Sequence, residues 1–154
     1  MLAETPPRLA ATTAGLEAAQ LHTALHPGEW SANDVLAHMR SCADVWGNCM
    51  ATIITQDAPT LRAVNPRTWI KSTDYLEQEF QTSLQAFTAQ RRDLLVVLEA
   101  LAPGAWTHTA TVTGAGAPLT RTVHTYAQWL ARHEQPHIKQ IGRIAKAMGY
   151  QQRG

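Results

Sequence analysis

Residues 31–55 read SANDVLAHMRSCADVWGNCMATIIT, and this stretch predicts a long helix. Ser31 is its expected N-cap, with Asp34 three residues on as an acidic variant of the capping box and Trp30 at the hydrophobic-staple position. When residues are placed about 100° apart around the axis, a set of apolar side chains falls within about 60°. They are Val35, Met39, Cys42, Trp46, Cys49 and Ile53. Such a stripe is typical of a helix packed in a bundle.

Three other segments carry the same helical period. Their predicted bounds are 7–25, then a run from a cap at Ser72 or Thr73 to the residue before Pro103, and finally 122–148 with Gly149 as a C-terminal cap. Before the last helix, residues 107–113 read THTATVT, an alternating β-branched pattern, and Gly114-Ala115-Gly116 is a turn signal. The sequence therefore predicts an all-α four-helix bundle, up-and-down or with a longer crossover, plus a small β-hairpin or extended loop.

The length and charge of the chain limit its class. Its 154 residues are about the size of one ordinary domain, so a single domain over 1–154 is expected. Lys and Arg total 13 against 12 Asp and Glu, and the net charge of +1 offers no basic field for nucleic acid. Residues 1–8 lack a leader pattern, and no stretch approaches the roughly 18 apolar residues of a membrane span. We therefore expect a cytoplasmic protein that binds neither nucleic acid nor membrane.

Both cysteines fall in the helix predicted at residues 31–55. Cys42 and Cys49 are seven residues apart, which places them about 10 Å apart along the helix axis, too far for a disulfide. We interpret both as small apolar side chains that face the core.

Three of the seven histidines point toward the predicted core. His38 falls about 50° from the centre of the apolar stripe in its helix. His137 lies within the apolar side of the last helix, and His133 lies at its margin. The others are expected at the surface, where a helix end, the hairpin or an outer helix face would place them. They are His22, His26, His108 and His124.

The inward histidines predict a divalent metal site. His133 and His137 are four residues apart, so their rings project to one side of the helix and can share one ion. An ion at about 2.1 Å would satisfy both imidazoles, with His38 as the third ligand from a facing helix. Three protein ligands leave a position open for water, as in catalytic sites. Pro136 predicts a kink, or the start of a new helix, between the two rings.

The string HEQPH at 133–137 also fits H-E-x-x-H, the zinc metalloprotease pattern in which Glu is the general base. Residues 138–154 contain no Asp, Glu or His to act as the usual downstream ligand, which disfavours a protease. Glu134 remains the candidate catalytic residue, as a proton acceptor or as the partner of a ligand ring. The alternative for Glu134 is a plain carboxylate on the helix surface.

Several segments together match one protein family. They are Glu29-Trp30-Ser31, the run DVLAHM at 34–39, the long third helix closing on Leu101 and Trp106, and HEQPHIKQI at 133–141. In their order and spacing, the chain resembles the DinB/YfiT-like family of metal-binding four-helix bundles. The resemblance implies an up-down-down-up bundle whose metal ligands are His38, His133 and His137.

The resemblance implies less about the reaction. It suggests a metal-dependent hydrolase, or a transferase that uses a low-molecular-weight thiol, with a small molecule as substrate. The alternative is a non-catalytic, stress-related bundle that only binds metal. We expect zinc first and nickel second, since three imidazoles suit either ion. We also expect a homodimer, because relatives pair through bundle faces and the chain has five Trp and only 16% charged residues.

Overall fold

The computed structural model describes the backbone of residues 1–153 and the side chains of residues 1–149. Within these residues the chain is mainly helical, with a small sheet. In chain order its elements are α1 Thr5–Thr13, α2 Ala18–Leu21, α3 Ala32–Thr55, β1 Thr60–Arg62, α4 Pro66–Trp69, α5 Phe80–Glu99, β2 Thr109–Thr113, β3 Leu119–Thr122 and α6 Val123–Arg153. Short 3-10 helices lie at Leu2–Glu4, Ile70–Ser72 and Pro103–Thr107.

The long helix predicted from Ser31 is confirmed as α3. Ser31 Oγ accepts a hydrogen bond from the Asp34 amide at 3.1 Å, and the Asp34 carboxylate accepts one from the Ser31 amide at 2.9 Å. This capping box satisfies two amide groups that have no partner within the helix itself. In the predicted apolar stripe, Trp46 and Cys49 are half-buried and the other members are buried.

The predicted four-helix bundle is confirmed. α1 and α3 each pack against both α5 and α6, so the four helices surround one core. A single cluster of buried apolar side chains fills it, including Leu9, Phe87 and Leu130. Each such side chain stabilises the fold by roughly 1.5–3 kcal/mol relative to its exposed state. None of the helices in the described residues is both long and apolar enough to cross a membrane.

The first predicted helix, 7–25, is wrong in its extent. Two shorter helices, α1 and α2, replace it. Between them Gly15 adopts a φ of 81°, a left-handed conformation that cannot continue a right-handed helix. Glu17 then starts α2, with its amide donating to Gln20 Oε1 at 2.8 Å. The Ala-rich composition favours helix on both sides of the glycine, so periodicity alone did not reveal the break.

The third predicted helix begins later than expected. α5 starts at Phe80 and not after a cap at Ser72 or Thr73. The Glu79 carboxylate accepts a hydrogen bond from the Thr82 amide at 3.1 Å and so caps this helix. The preceding residues form α4 and a 3-10 helix. Several capping side chains compete in this segment, and packing selects the last of them.

α6 continues through Pro136, and no new helix starts there. The proline removes one amide from the hydrogen-bond ladder, yet the helix spans Val123 to Arg153. His133 and His137 therefore stay on one helix, one turn apart. Gly149 is not the predicted cap and lies inside α6, because it lacks the positive φ of a glycine that ends a helix.

The predicted hairpin is confirmed and is part of a three-stranded sheet. β2 and β3 pair antiparallel, with Val112 opposite Leu119, and Gly114 and Gly116 adopt positive φ in the turn. β1 pairs parallel with β2, with Leu61 opposite Val112. The sequence did not predict this third strand, since three residues are too few to show an alternating pattern. The sheet leads directly into the first turn of α6.

Candidate metal centre

Three histidine rings converge between α3 and α6. His38 Nε2 lies 3.1 Å from His133 Nε2, and His137 Nε2 lies 3.2 Å from the same atom. The side chain of His38 is 7% exposed, and the other two histidines are half-buried. The structure thus brings together the three residues that the sequence singled out as metal ligands.

Helix geometry explains this convergence. His133 and His137 share one face of α6, with 4.5 Å between their ring centroids. α3 packs directly against α6, and His38 lies on it between the fully buried Ala37 and Met39. Because His38 lies at the edge of the α3 apolar stripe, its ring reaches those of His133 and His137.

Tryptophan side chains wall the histidine cluster. The Trp30 ring lies 5.2 Å from the His38 ring, and Trp46 stands perpendicular to His133 at 5.1 Å. Trp129 extends the wall through contact with Trp46. These walls displace water from the imidazoles, which strengthens electrostatic interactions within the site.

The electrostatic environment keeps two of the rings neutral. The pKa of both His38 and His133 is lowered to about 4, mainly by burial and also by coulombic repulsion from His137 and Arg67. A neutral imidazole has a nitrogen lone pair to offer, which is the form that binds a metal ion. At neutral pH both rings are therefore ready to act as ligands.

Gln140 contacts the ring nitrogen of His137 that faces away from the cluster. His137 Nδ1 lies 3.1 Å from Gln140 Oε1, which can only accept a hydrogen bond. When Nδ1 donates its proton to this oxygen, Nε2 presents its lone pair to the cluster. A hydrogen bond of this type on the far ring nitrogen is usual for histidine ligands of metals.

Two separations between the donor atoms fit ligands of a single divalent ion. Nitrogens about 2.0–2.1 Å from a tetrahedral ion lie about 3.3 Å from one another. The two measured separations between Nε2 atoms are 3.1 and 3.2 Å. Imidazole nitrogen donors suit zinc, nickel, iron or copper. In these two separations and in donor type, the residues match a metal site.

Glu134 is fully buried in an ion pair with Arg91. Its two oxygens accept hydrogen bonds from Arg91 Nη1 at 2.8 Å and Nη2 at 2.7 Å, with exposures of 2% for the Arg91 side chain and 0% for Glu134. Burial raises the pKa of Glu134, and the Arg91 guanidinium opposes that rise. Arg91 also donates to the Leu2 carbonyl at 2.9 Å. The alternative interpretation of Glu134 as a surface carboxylate is therefore wrong.

The contact with Arg91 also affects whether Glu134 can be the hydrogen-bond partner of a ligand ring, one of its predicted roles. His133 Nδ1 is buried and has no hydrogen-bond partner in the described part of the chain. A ring that binds metal through Nε2 normally donates its Nδ1 proton to a carboxylate, carbonyl or water. Both Glu134 oxygens are occupied by Arg91, and no Glu134 hydrogen bond to a ring is found among residues 1–149. The catalytic role of Glu134 stays a prediction, and these contacts favour a structural role.

Sequence reasoning overlooked a fourth donor, Cys42. Its Sγ lies 3.7 Å from His38 Nε2 and 3.7 Å from His133 Nε2. The thiol is 1% exposed, and burial raises its pKa to about 12. The signal was present in the sequence, because Cys42 follows His38 by four residues, the same spacing that joins His133 to His137.

The remaining histidines are exposed, as predicted. His124 lies on the outer side of α6, where its ring centroid is 6.4 Å from that of Trp106. His22 Nε2 accepts a hydrogen bond from the Phe80 amide at the start of α5. The described contacts of these two histidines do not join them to the cluster between α3 and α6.

A helical bundle with three inward imidazoles on facing helices defines a class of proteins that place metal sites in the bundle core. A family model described as the DinB superfamily matches residues 1–141. The chain therefore belongs to the DinB superfamily.

A solved structure shows the same fold. YfiT from Bacillus subtilis, described as a probable metal-dependent hydrolase with an unusual four-helix bundle topology, aligns with a TM-score of 0.78. The two chains are 18% identical, and the alignment covers 96% of this chain and 83% of YfiT. No curated protein sequence matches the chain. At this identity the likeness is one of fold.

Proposed function

We propose that the chain binds one divalent metal ion through His38, His133 and His137 and acts with it as a hydrolase of a small molecule. The observation that carries this proposal is the spacing of the Nε2 atoms, 3.1 and 3.2 Å, around the central His133. The hydrogen bond from His137 Nδ1 to Gln140 supports it, since it presents the His137 lone pair to the same point.

When bound, a divalent ion would supply Lewis acidity that lowers the pKa of a water or thiol to near neutrality. The chain's own residues would supply the rest. Neutral His38 and His133 rings hold the site ready for binding, and Trp30 and Trp46 limit access of bulk water. The description of YfiT as a probable metal-dependent hydrolase supports hydrolysis ahead of thiol transfer.

A second candidate is a non-catalytic bundle that only binds metal. One observation favours it, namely the position of Cys42 Sγ at 3.7 Å from two of the Nε2 atoms. A fourth protein donor closes a tetrahedral site, and closed sites are typical of structural zinc.

The two candidates are separated by loading the purified protein with zinc and assaying small chromogenic esters and amides. The first candidate expects hydrolysis that chelation abolishes, that zinc restores and that His137→Ala lacks. The second expects stoichiometric zinc without turnover. A protein that takes up no zinc at micromolar free ion would contradict both.

Replacing Gln140 with Ala should weaken zinc binding about 10-fold or more, because loss of a partner that orients a ligand ring typically costs 10–100-fold in affinity. His137 would then be free to place its proton on Nε2, which removes the lone pair from the cluster. Competition with a chromophoric chelator measures the change. Gln128→Ala, at an exposed position on the same helix, is the matched control. Equal affinity in both variants would show that Gln140 does not set the tautomer.

Other sequence expectations stay predictions. They include zinc ahead of nickel, a low-molecular-weight thiol as co-substrate, a single domain over 1–154 and a homodimer. Exposed Val96 and Val97 on α5 support pairing through a bundle face. Sedimentation that gives a monomer at tens of micromolar, on the order where weak interfaces dissociate, would count against the dimer.

A further inference from the structure

We propose that Cys42 binds the same ion as a fourth protein ligand, so that the site is a three-histidine, one-cysteine centre. The inference rests on the proposed metal site but not on the proposed reaction. It concerns the resting coordination of the site and the metals that the site selects.

The distances carry the assignment. A sulfur about 2.3 Å and a nitrogen about 2.05 Å from one tetrahedral ion lie about 3.6 Å apart. Cys42 Sγ lies 3.7 Å from both His38 Nε2 and His133 Nε2. The ligand atoms of His38, Cys42 and His133 all lie within 4.8 Å of one another. The spacings among Cys42, His38 and His133 are therefore those of ligands that share one ion.

The location of Cys42 supports the same conclusion. It lies one turn after His38 on α3, so helix geometry holds its Sγ next to the His38 ring. Within the described residues, the hydrogen-bond contacts of its thiol are the two ring nitrogens. Cys49 is seven residues further along the same helix, is half-buried and makes no such contact with these rings. Cys49 therefore serves as an internal comparison.

Coordination would exchange a proton for a metal bond. The S–H bond breaks, the proton passes to solvent, and the sulfur lone pair forms the bond to the ion in place of one water molecule. A soft thiolate among three imidazoles favours zinc, cobalt and cadmium over magnesium and manganese. Substrate would then bind either as a fifth ligand or after displacing the thiolate.

Titration of the metal-free, full-length protein with Co(II) tests the assignment by absorption spectroscopy. A thiolate bound to Co(II) gives a sulfur-to-metal charge-transfer band in the near ultraviolet, whereas imidazoles give only the visible d–d bands. We expect the charge-transfer band in the parent and in Cys49→Ser, and its loss in Cys42→Ser. The d–d bands should persist in all three proteins. Cys42→Ser should also bind Co(II) at least about tenfold more weakly, since even the loss of an indirect partner costs 10–100-fold.

The charge-transfer band of the parent protein tests the assignment even if neither variant folds. A parent protein with d–d bands and no charge-transfer band would overturn the fourth ligand while leaving the histidine site standing. A band that survives in Cys42→Ser or disappears in Cys49→Ser would also overturn it. Failure of the parent to bind Co(II) at all would overturn both this inference and the proposed metal site.

Discussion

His137→Ala should abolish metal binding, whereas His124→Ala should leave it nearly intact. His137 Nε2 lies 3.2 Å from His133 Nε2 in the cluster, whereas His124 is exposed on the outer side of the same helix. Loss of His137 removes one of three imidazoles, and the remaining donors should hold an ion far more weakly. Metal analysis of both purified variants beside the parent measures the effect without knowledge of the substrate.

Thermal stability should follow metal affinity. An ion that binds only the folded chain stabilises it by about 2.7 kcal/mol when its free concentration is 100 times its Kd. Chelation should therefore lower the Tm of the parent and of His124→Ala but hardly change that of His137→Ala. Equal metal content in the parent and His137→Ala would mean that the ion is bound elsewhere, and the site assignment would be wrong.

Glu134→Ala should destabilise the protein by about 3–5 kcal/mol, because it leaves the Arg91 charge buried without its partner. Both side chains are almost completely buried, and two hydrogen bonds of 2.7 and 2.8 Å join them. Urea unfolding in the presence of a chelator measures this change separately from any contribution of a bound metal.

Two further variants test whether the unpaired charge of Arg91 causes this loss of stability. The double variant Arg91→Met, Glu134→Leu should recover most of the lost stability, since apolar groups of similar volume often replace a buried ion pair without penalty. Arg92→Ala, which changes the exposed neighbour of Arg91, should stay within about 0.5 kcal/mol of the parent. If Glu134→Ala were as stable as the parent but inactive, Glu134 would have the catalytic role predicted from the sequence.

Local features of the sequence account for what it predicted correctly. The start of α3 was readable because Ser31 and Asp34 satisfy each other's amides within one turn. The spacing of four residues put His133 and His137 on one face of a helix, and the angular position of His38 turned it inward. Each of these inferences depends on residues within one or two helical turns.

Competing local signals explain the errors in helix boundaries. The Ala-rich N-terminal segment has high helix propensity, but Gly15 takes a left-handed conformation that divides it. Ser72, Thr73 and Glu79 can all cap a helix, and the chain uses Glu79. Propensity ranks such alternatives weakly, so packing against the other helices decides between them.

The partners of the buried polar groups were decided only by the tertiary structure. Glu134 meets Arg91 across 43 residues of chain, and Cys42 meets His133 across 91. The helical period cannot tell whether Glu134 faces a metal or an arginine, because either partner would lie on the inward side of α6. The sequence by itself indicated that His38, His133 and His137 turn inward, since that follows from local backbone geometry. Which of them meet depends on how α3, α5 and α6 pack, and that is a property of the folded bundle alone.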